Sequence, residues 1–588
     1  MARSWFVLQL GNLTVLRCAC GRGCSSERVA SPRSRMRGAH GGSDMLSPPS
    51  ARRKVNALRH VFSVSVALLG VLAVSAWRSE SVAAQSPPEV QVAQGRLVGL
   101  RVGSVETFLG VPYAAAPVGP NRWRAPQPAP HWRGVRTAEH FAPSCYQPLT
   151  AKGFGPWTRE YVVQGRTSED CLYLNVWAPV HAKRPLPVMM WIPGGGFISG
   201  SGSVPVYDGA RLAARGIIVV TINYRLGVLG FFTDPALVAQ ARRNHEPPGN
   251  WGLQDMIAAL RWLHTNIAAF GGDPSQITLA GQSAGSIAVQ DLLTSPLAAG
   301  LFSRAIAESG LPGSIPVISL AQAETAGEAL ARAQDARTLE ELRALSPEKL
   351  DAAAKMGSPA AMPIVDGVLL PGPPRQRFAA GYFAKVPILV GMDANDSVVF
   401  SGALPSSVTR SAWRAFLHSR FGVMAPRFAK LFPAHSDVAR ARAERAVRRD
   451  LGLAALYAWS RLWLMHSRVP AYVYIWTHVE PGPQSARWGA FHSSEIPYIF
   501  RTLNKSPQRR FTSLDRSISI RMSRYWTNFV KTGNPNGAEL PVWRPLSVNS
   551  RQLMQLGARV TPRWFLPPAT LRAMQKFVAQ GGHVGLFN

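Results

Sequence analysis

The sequence predicts one large α/β domain built on a mainly parallel sheet, and three observations predict it. Continuous apolar runs recur along the chain at 185–192 (carrying LPVMMWI), 216–224 (GIIVVTINY), 277–281 (ITLAG), 386–391 (VPILVG) and 471–477 (AYVYIWT). Strands that are apolar at every position, not at alternate ones, are buried on both faces, as in a parallel sheet covered by helices. Helical stretches separate these runs, as 252–269 does before ITLAG, and parallel strands need such crossovers. The chain has 588 residues, 46% of them hydrophobic and 17% charged, so it can bury a large core and does not have the composition of a disordered protein. The Ala/Arg/Leu/Glu-rich segments 320–355 and 409–468 read as helical insertions that cap the sheet edge.

The front of the chain reads as an address. Residues 52–59 (RRKVNALR) are basic, 61–77 (VFSVSVALLGVLAVSAW) are apolar and uncharged, and Val82 and Ala84 are small residues placed for cleavage before Gln85. These are the parts of a secretory signal peptide, here 45–84. Residues 1–44 are Arg-, Gly- and Ser-rich without periodicity and are set apart as a non-native or disordered leader, with translation starting at Met36 or Met45. The folded domain is then 85–588, exported to the periplasm or secreted, with at most peripheral membrane contact.

The formal charge of +32 comes from scattered arginines, without the dense basic runs interleaved with aromatics that mark nucleic-acid binding. Cys145 and Cys171 are the two cysteines outside the leader. An isolated pair in an exported chain suggests one disulfide. No spacing of His and Cys suits a metal, and no cofactor is expected.

GQSAG (281–285) directly follows the strand ITLA and opens the helical run SIAVQDLLTS. A serine between glycines at a strand-to-helix turn is held on a strained elbow, with its hydroxyl exposed above the sheet. Ser283 is therefore the candidate nucleophile, and an alcohol needs a base to act as one.

The landmarks FLGVPYA (108–114), SEDCLYLNVW (168–177), GGGF (194–197), VVTINYRLGVLGFF (219–232), GNWGLQD (249–255), FGGDP (270–274), GQSAG and WTNFVKTGNPN (526–536) give the chain its wider resemblance. From about residue 95 onward it resembles the type-B carboxylesterase family, which includes the cholinesterases. The resemblance implies the α/β-hydrolase fold and serine hydrolysis of a small-molecule carboxylic ester. It implies oxyanion donors at the N–H groups of Gly195, Gly196 and Ala284 in WIPGGGFISGSG (191–202) and GQSAG. It implies His492 in GAFHSSEIPYIF (489–500) as base and Asp396 in VGMDANDSVVF (390–400) as acid, in the chain order serine, acid, histidine.

Asp396 is shorter than the glutamate most relatives carry. Asp393, where relatives often have asparagine, and Glu495 are rivals for the same role. Pro193 stands where relatives often have His or Tyr. Gln282 replaces the glutamate found before the serine in many relatives, which removes one attraction for cations, so neutral esters of short to medium acyl chains are expected. Trp157 is expected either to line the alcohol side or simply to pack. The family pattern also pairs Arg122 with Glu169 and Arg225 with Asp255. A second class of reading, an inactive binding or adhesion protein on the same fold, is disfavoured because all three catalytic positions carry competent residues.

Overall fold

A computed structural model describes residues 86–587 other than 151, 181, 317, 354–356 and 403–404. The leader and the signal segment expected at 1–84 lie outside the described residues. The centre is an eleven-stranded sheet. Its strands in chain order are β1 (Leu100–Val102), β2 (Val105–Pro112), β3 (Tyr173–Pro179), β4 (Leu186–Ile192), β5 (Ile218–Ile222), β6 (Gly272–Gln282), β7 (Arg304–Glu308), β8 (Ile388–Asp393), β9 (Ala471–Trp476), β10 (Gln552–Leu556) and β11 (Thr561–Trp564). Their order in space is β11-β10-β9-β8-β7-β6-β4-β5-β3-β2-β1. The run from β5 to β10 is parallel, and antiparallel strands close both edges.

The unbroken apolar strands follow from burial on both faces. In β4 and β5, Val188, Met190, Ile192, Ile218, Val220 and Ile222 join one apolar core, while Met189, Trp191 and Val219 join another across the sheet. All nine are fully buried, and each such side chain is worth about 1.5–3 kcal/mol. Helices α1 (Trp251–Asn266), α2 (Ala284–Thr294), α3 (Asp437–His466), α4 (Ser513–Thr532) and α5 (Pro568–Ala579) supply much of the cover. The two expected helical insertions are helical: Leu320–Ala333, Leu339–Ala344 and Pro347–Ala353 in the first, Arg410–Phe421, Ala425–Leu431 and α3 in the second.

Two boundaries differ from expectation for physical reasons. β6 begins at Gly272 and takes in the GGDP segment that the sequence marks as a turn. Leu186 pairs with Gly272 and Val188 with Ile277, so the register shifts between them, and a bulge lets Pro274 sit in the strand without a ladder bond. The helix expected to reach residue 269 ends at Asn266 and tightens into a 3-10 turn, Ile267–Phe270, closed by Gly271 at φ 79°.

Buried charge ties the loops at the strand ends. Arg225 is clamped on Asp255: its backbone N and Nε donate to Oδ2 at 3.0 and 2.9 Å, and Nη2 to Oδ1 at 2.7 Å. Arg122 Nε donates to Glu169 Oε2 at 2.7 Å, Nη2 to Oε1, and Nη1 to the carbonyls of Arg343 and Leu345. Both family-implied pairs therefore form. Cys145 and Cys171 are bonded, with Cα atoms 4.8 Å apart. Asp255→Ala leaves the Arg225 guanidinium buried without its counter-charge, so urea denaturation is expected to read a loss of about 3–5 kcal/mol. A loss under about 1 kcal/mol, the range of a surface pair, would contradict this account.

Candidate active site

Ser283 sits between β6 and α2 at φ 58°, ψ −123°, a conformation an L-residue reaches only under constraint. Its N–H donates to the carbonyl of Glu308 at the end of β7, 2.8 Å, and its carbonyl accepts from Ile287 in α2, 2.9 Å. The flanking glycines are needed for close approach. A Cβ at Gly285 would lie 2.1 Å from the Ile192 carbonyl oxygen, and one at Gly281 would lie 2.6 Å from the Gly285 backbone. The elbow is thus packed against the end of β4, where the glycine loop begins.

In that loop Gly195 and Gly196 stand at φ 120° and 65°. A Cβ at Gly194 would come within 3.0 Å of the Ser283 Cβ, so the loop runs directly beside the serine. Gln147 fixes its far end: its amide donates to the Gly200 carbonyl at 2.9 Å and accepts from the Gly200 N–H at 2.8 Å. Gln147 lies two residues beyond the disulfide at Cys145, so the cross-link braces the loop that holds the glycines. Tyr224 OH donates to the Pro193 carbonyl at 3.1 Å, and Pro193 leaves Gly195 and Gly196 in place. Ala284 is the first residue of α2, where backbone N–H groups have no partner within the helix.

The loops that carry Asp396 and His492 are sewn together. Asn395 N donates to the Ala490 carbonyl at 2.9 Å, and Ala490 N donates to Asn395 Oδ1 at 3.0 Å. Gly489 stands at φ 64°, where a Cβ would lie 2.2 Å from that amide oxygen. This stitching brings Asp396 Oδ1 to 2.6 Å from His492 Nδ1. The other oxygen, Oδ2, accepts from Asp393 N at 2.9 Å. Of the three carboxylates the sequence offers, Asp396 meets the imidazole. Asp393 instead accepts from Ser493 N at 2.9 Å through Oδ2. His492 and Asp396 are 2% and 1% exposed, a dry setting in which charge-assisted bonds are strong.

With a carboxylate at Nδ1, that nitrogen carries the proton and Nε2 keeps its lone pair. The Gln282 amide nitrogen lies 3.2 Å from Nε2 and donates to it. Sequence reasoning placed Gln282 at the substrate side and missed this contact with the histidine.

The imidazole is walled by Phe400 and Phe587, at ring centroids of 5.3 and 5.4 Å, and more loosely by Trp157 at 6.3 Å. Trp157 also donates its indole N–H to the His492 carbonyl at 3.0 Å, so it braces the histidine as well as facing its ring. The turn carrying Trp157 is held in turn by Arg509, which donates to Glu160, Thr158 and the Pro156 carbonyl and pairs with Glu480 at 3.2 Å. Burial pushes the Glu480 carboxyl up to about 8, against the pull of Arg509. Neither Phe587 nor Arg509 lies in a motif, so no signal in the sequence marked them.

Gly310, whose Cβ would lie 2.6 Å from the Ser283 carbonyl, leads into a largely apolar pocket lined by Leu311, Phe378, Trp459, Leu462 and Leu586, with Ser314 and Arg375 also on its wall. Among the described residues no group of three His, Cys, Asp or Glu side chains is arranged to hold a metal ion. No helix among them is long and apolar enough to cross a membrane.

A model of the carboxylesterase family matches residues 86–575. The chain is 38% identical to fumonisin B1 esterase of Sphingopyxis macrogoltabida over 82% of its own length and 88% of that protein's. It is 35% identical to cocaine esterase of Homo sapiens, over 80% and 85% of the two chains. It is 32% identical to para-nitrobenzyl esterase of Bacillus subtilis, over 80% and 95%. A solved PNB esterase structure superposes with a TM-score of 0.68 at 30% identity, covering 84% of this chain and all of that one. An α/β-hydrolase sheet with a serine elbow, matched along nearly the whole described chain by ester-cleaving relatives, makes this protein a member of the carboxylesterase family and a hydrolase of carboxylic esters.

Proposed function

We propose that the ester is cleaved through an acyl-enzyme on Ser283, with His492 as base and Asp396 as its supporting acid. One observation carries this reading: a buried imidazole with the Asp396 carboxylate 2.6 Å from one nitrogen while the other faces Gln282, the neighbour of the strained serine. Ser283 Oγ attacks the ester carbonyl as His492 Nε2 takes its proton, and Asp396 stabilises the imidazolium that forms. The N–H groups of Gly195, Gly196 and Ala284 receive the developing oxyanion, each worth about 10²–10³ in rate. The imidazolium then gives its proton to the leaving alcohol, and water releases the acid by the reverse path.

The substrates we assign are neutral esters with short to medium acyl chains. The largely apolar pocket that begins at Leu311 supports an apolar group, and Gln282 puts no charge next to Ser283. Relatives named for fumonisin B1, cocaine and para-nitrobenzyl substrates are in keeping with a broad range of ester. The disulfide and the sequence before Gln85 support export with cleavage after Ala84. Terminal sequencing of the exported protein should then begin near Gln85, and a terminus before residue 61 would refute cleavage.

Ser283→Ala is expected to lose roughly 10⁶ in kcat on p-nitrophenyl esters with the fold intact. Activity retained by a folded, uncontaminated Ser283→Ala protein would sink the mechanism. Asp396→Asn is expected to lose about 10⁴, since an amide at that place favours the wrong tautomer of His492. Steady-state kinetics on both variants, with chain length varied from acetate to octanoate, check the roles and the acyl preference together.

A further inference from the structure

Beneath the base lies a group of buried acids that the mechanism does not use. Asp393 and Glu495 are both fully buried, and each carboxyl bears directly on the other. Neither Glu495 oxygen, nor Oδ1 of Asp393, has a hydrogen-bond partner. Two carboxylates in contact, with no donor between them, cannot both stay ionised in a dry interior. The charged groups that bear on them are the carboxyls of Asp396 and Glu308 and the imidazole of His492, with the phenols of Tyr474 and Tyr207 facing from other elements. No arginine or lysine is among them. Burial first, and then the neighbouring carboxylates, raise the pair's affinity for a proton.

Asp393 also touches both catalytic loops. Its N–H donates to Asp396 Oδ2, and its Oδ2 accepts from the N–H of Ser493, the residue after His492. Ser493 stands at φ 83°, in the left-handed region where a serine is strained and must be held by its surroundings.

We propose that Asp393 is a positioning residue for His492, and that it acts as half of a carboxylic acid–carboxylate pair with Glu495 that retains one shared proton. The proton lets the two side chains meet, and the meeting fixes Asp393 Oδ2 against the strained Ser493 peptide. This rests on His492 as the base, but its main readout does not depend on activity.

The test compares wild type with Asp393→Asn, Asp393→Ala and Glu495→Gln. An amide at 393 accepts from Ser493 and donates to Glu495 permanently, so Asp393→Asn should keep kcat within about tenfold, whereas Asp393→Ala should lose about 10² in kcat with KM little changed. Infrared difference spectra, wild type minus Asp393→Asn, should contain the carbonyl stretch of a protonated carboxylic acid that shifts in D₂O. Wild type minus Glu495→Gln should contain it too.

The sign of the pH effect follows from the raised affinity. A proton held more tightly in the folded state stabilises the fold at low pH, and that stability is lost as pH rises through the raised value, about 7 for Glu495. Wild type should therefore lose more melting temperature than Asp393→Asn as pH rises from the ordinary carboxyl value of 4.5 to about 7. Absence of the acid band, or a folded Asp393→Ala protein with wild-type kcat, would overturn the proposal. Should Asp393→Ala fail to fold, the spectra and the melting curves of Asp393→Asn still decide. Loss of the Ser283 mechanism would leave the band untouched, so the two failures are distinguishable.

Discussion

Ser283 holds a backbone conformation that costs an L-residue on the order of 1–3 kcal/mol, and the surrounding structure exists in the form that keeps it there. Only a site determined from several sides at once can sustain such strain. Here β7 takes the serine N–H, α2 starts from its carbonyl, and the end of β4 presses on both flanking glycines. The parallel order β4-β6-β7 is what brings these three ends to one place. In that sense the sheet is a clamp for one residue, and the apolar burial on its two faces supplies the stability that offsets the strain.

Buried ion pairs and one disulfide hold several of the loops around the sheet. Arg225 on Asp255, Arg122 on Glu169 and Arg509 on Glu160 and Glu480 each tie together segments far apart in the chain. The disulfide does the same through Gln147 and the glycine loop. Buried pairs of this kind are weak evidence of net stability, because desolvation cancels much of the attraction. Their contribution is geometric. A guanidinium with five donors in a fixed fork fixes the direction of every carbonyl and carboxylate it meets, which an apolar side chain of equal volume does not.

How much could be read from the sequence depended on how local the cause was. The buried strands were legible because burial on both faces forces every position to be apolar, and GQSAG because its glycines answer a clash within a few residues. The candidates Asp396 and His492 and the two family ion pairs came from ordered motifs that resemble a known family, not from periodicity. Gln282 bonding His492, Arg509 bracing the Trp157 turn and Phe587 walling the imidazole were not legible. Each joins segments far apart in the chain, and nothing local distinguishes a glutamine, arginine or phenylalanine that will take such a role from one that merely packs or faces water. β6 reaching through GGDP failed for a related reason: the turn chemistry is real, but the partner strand accommodates it with a bulge.

Net charge was the least informative feature, and the structure explains why. The chain carries +32, yet the groups nearest His492 are the carboxyls of Asp396, Asp393 and Glu495, with Glu308 behind them. Surface arginines are screened by water and salt over about 10 Å, whereas the buried acids act across a few ångströms of low dielectric. His492 therefore experiences a field set mainly by these four side chains and less by the distant charges of the surface. Each extra ionised carboxylate there favours the imidazolium, which helps the step that forms it but slows the step in which it must give up its proton to the alcohol. In the proposed mechanism the imidazole must do both in each half of the reaction, so it gains when Asp393 and Glu495 share a proton and do not both ionise. That balance is a property of the buried cluster, and a composition count cannot contain it.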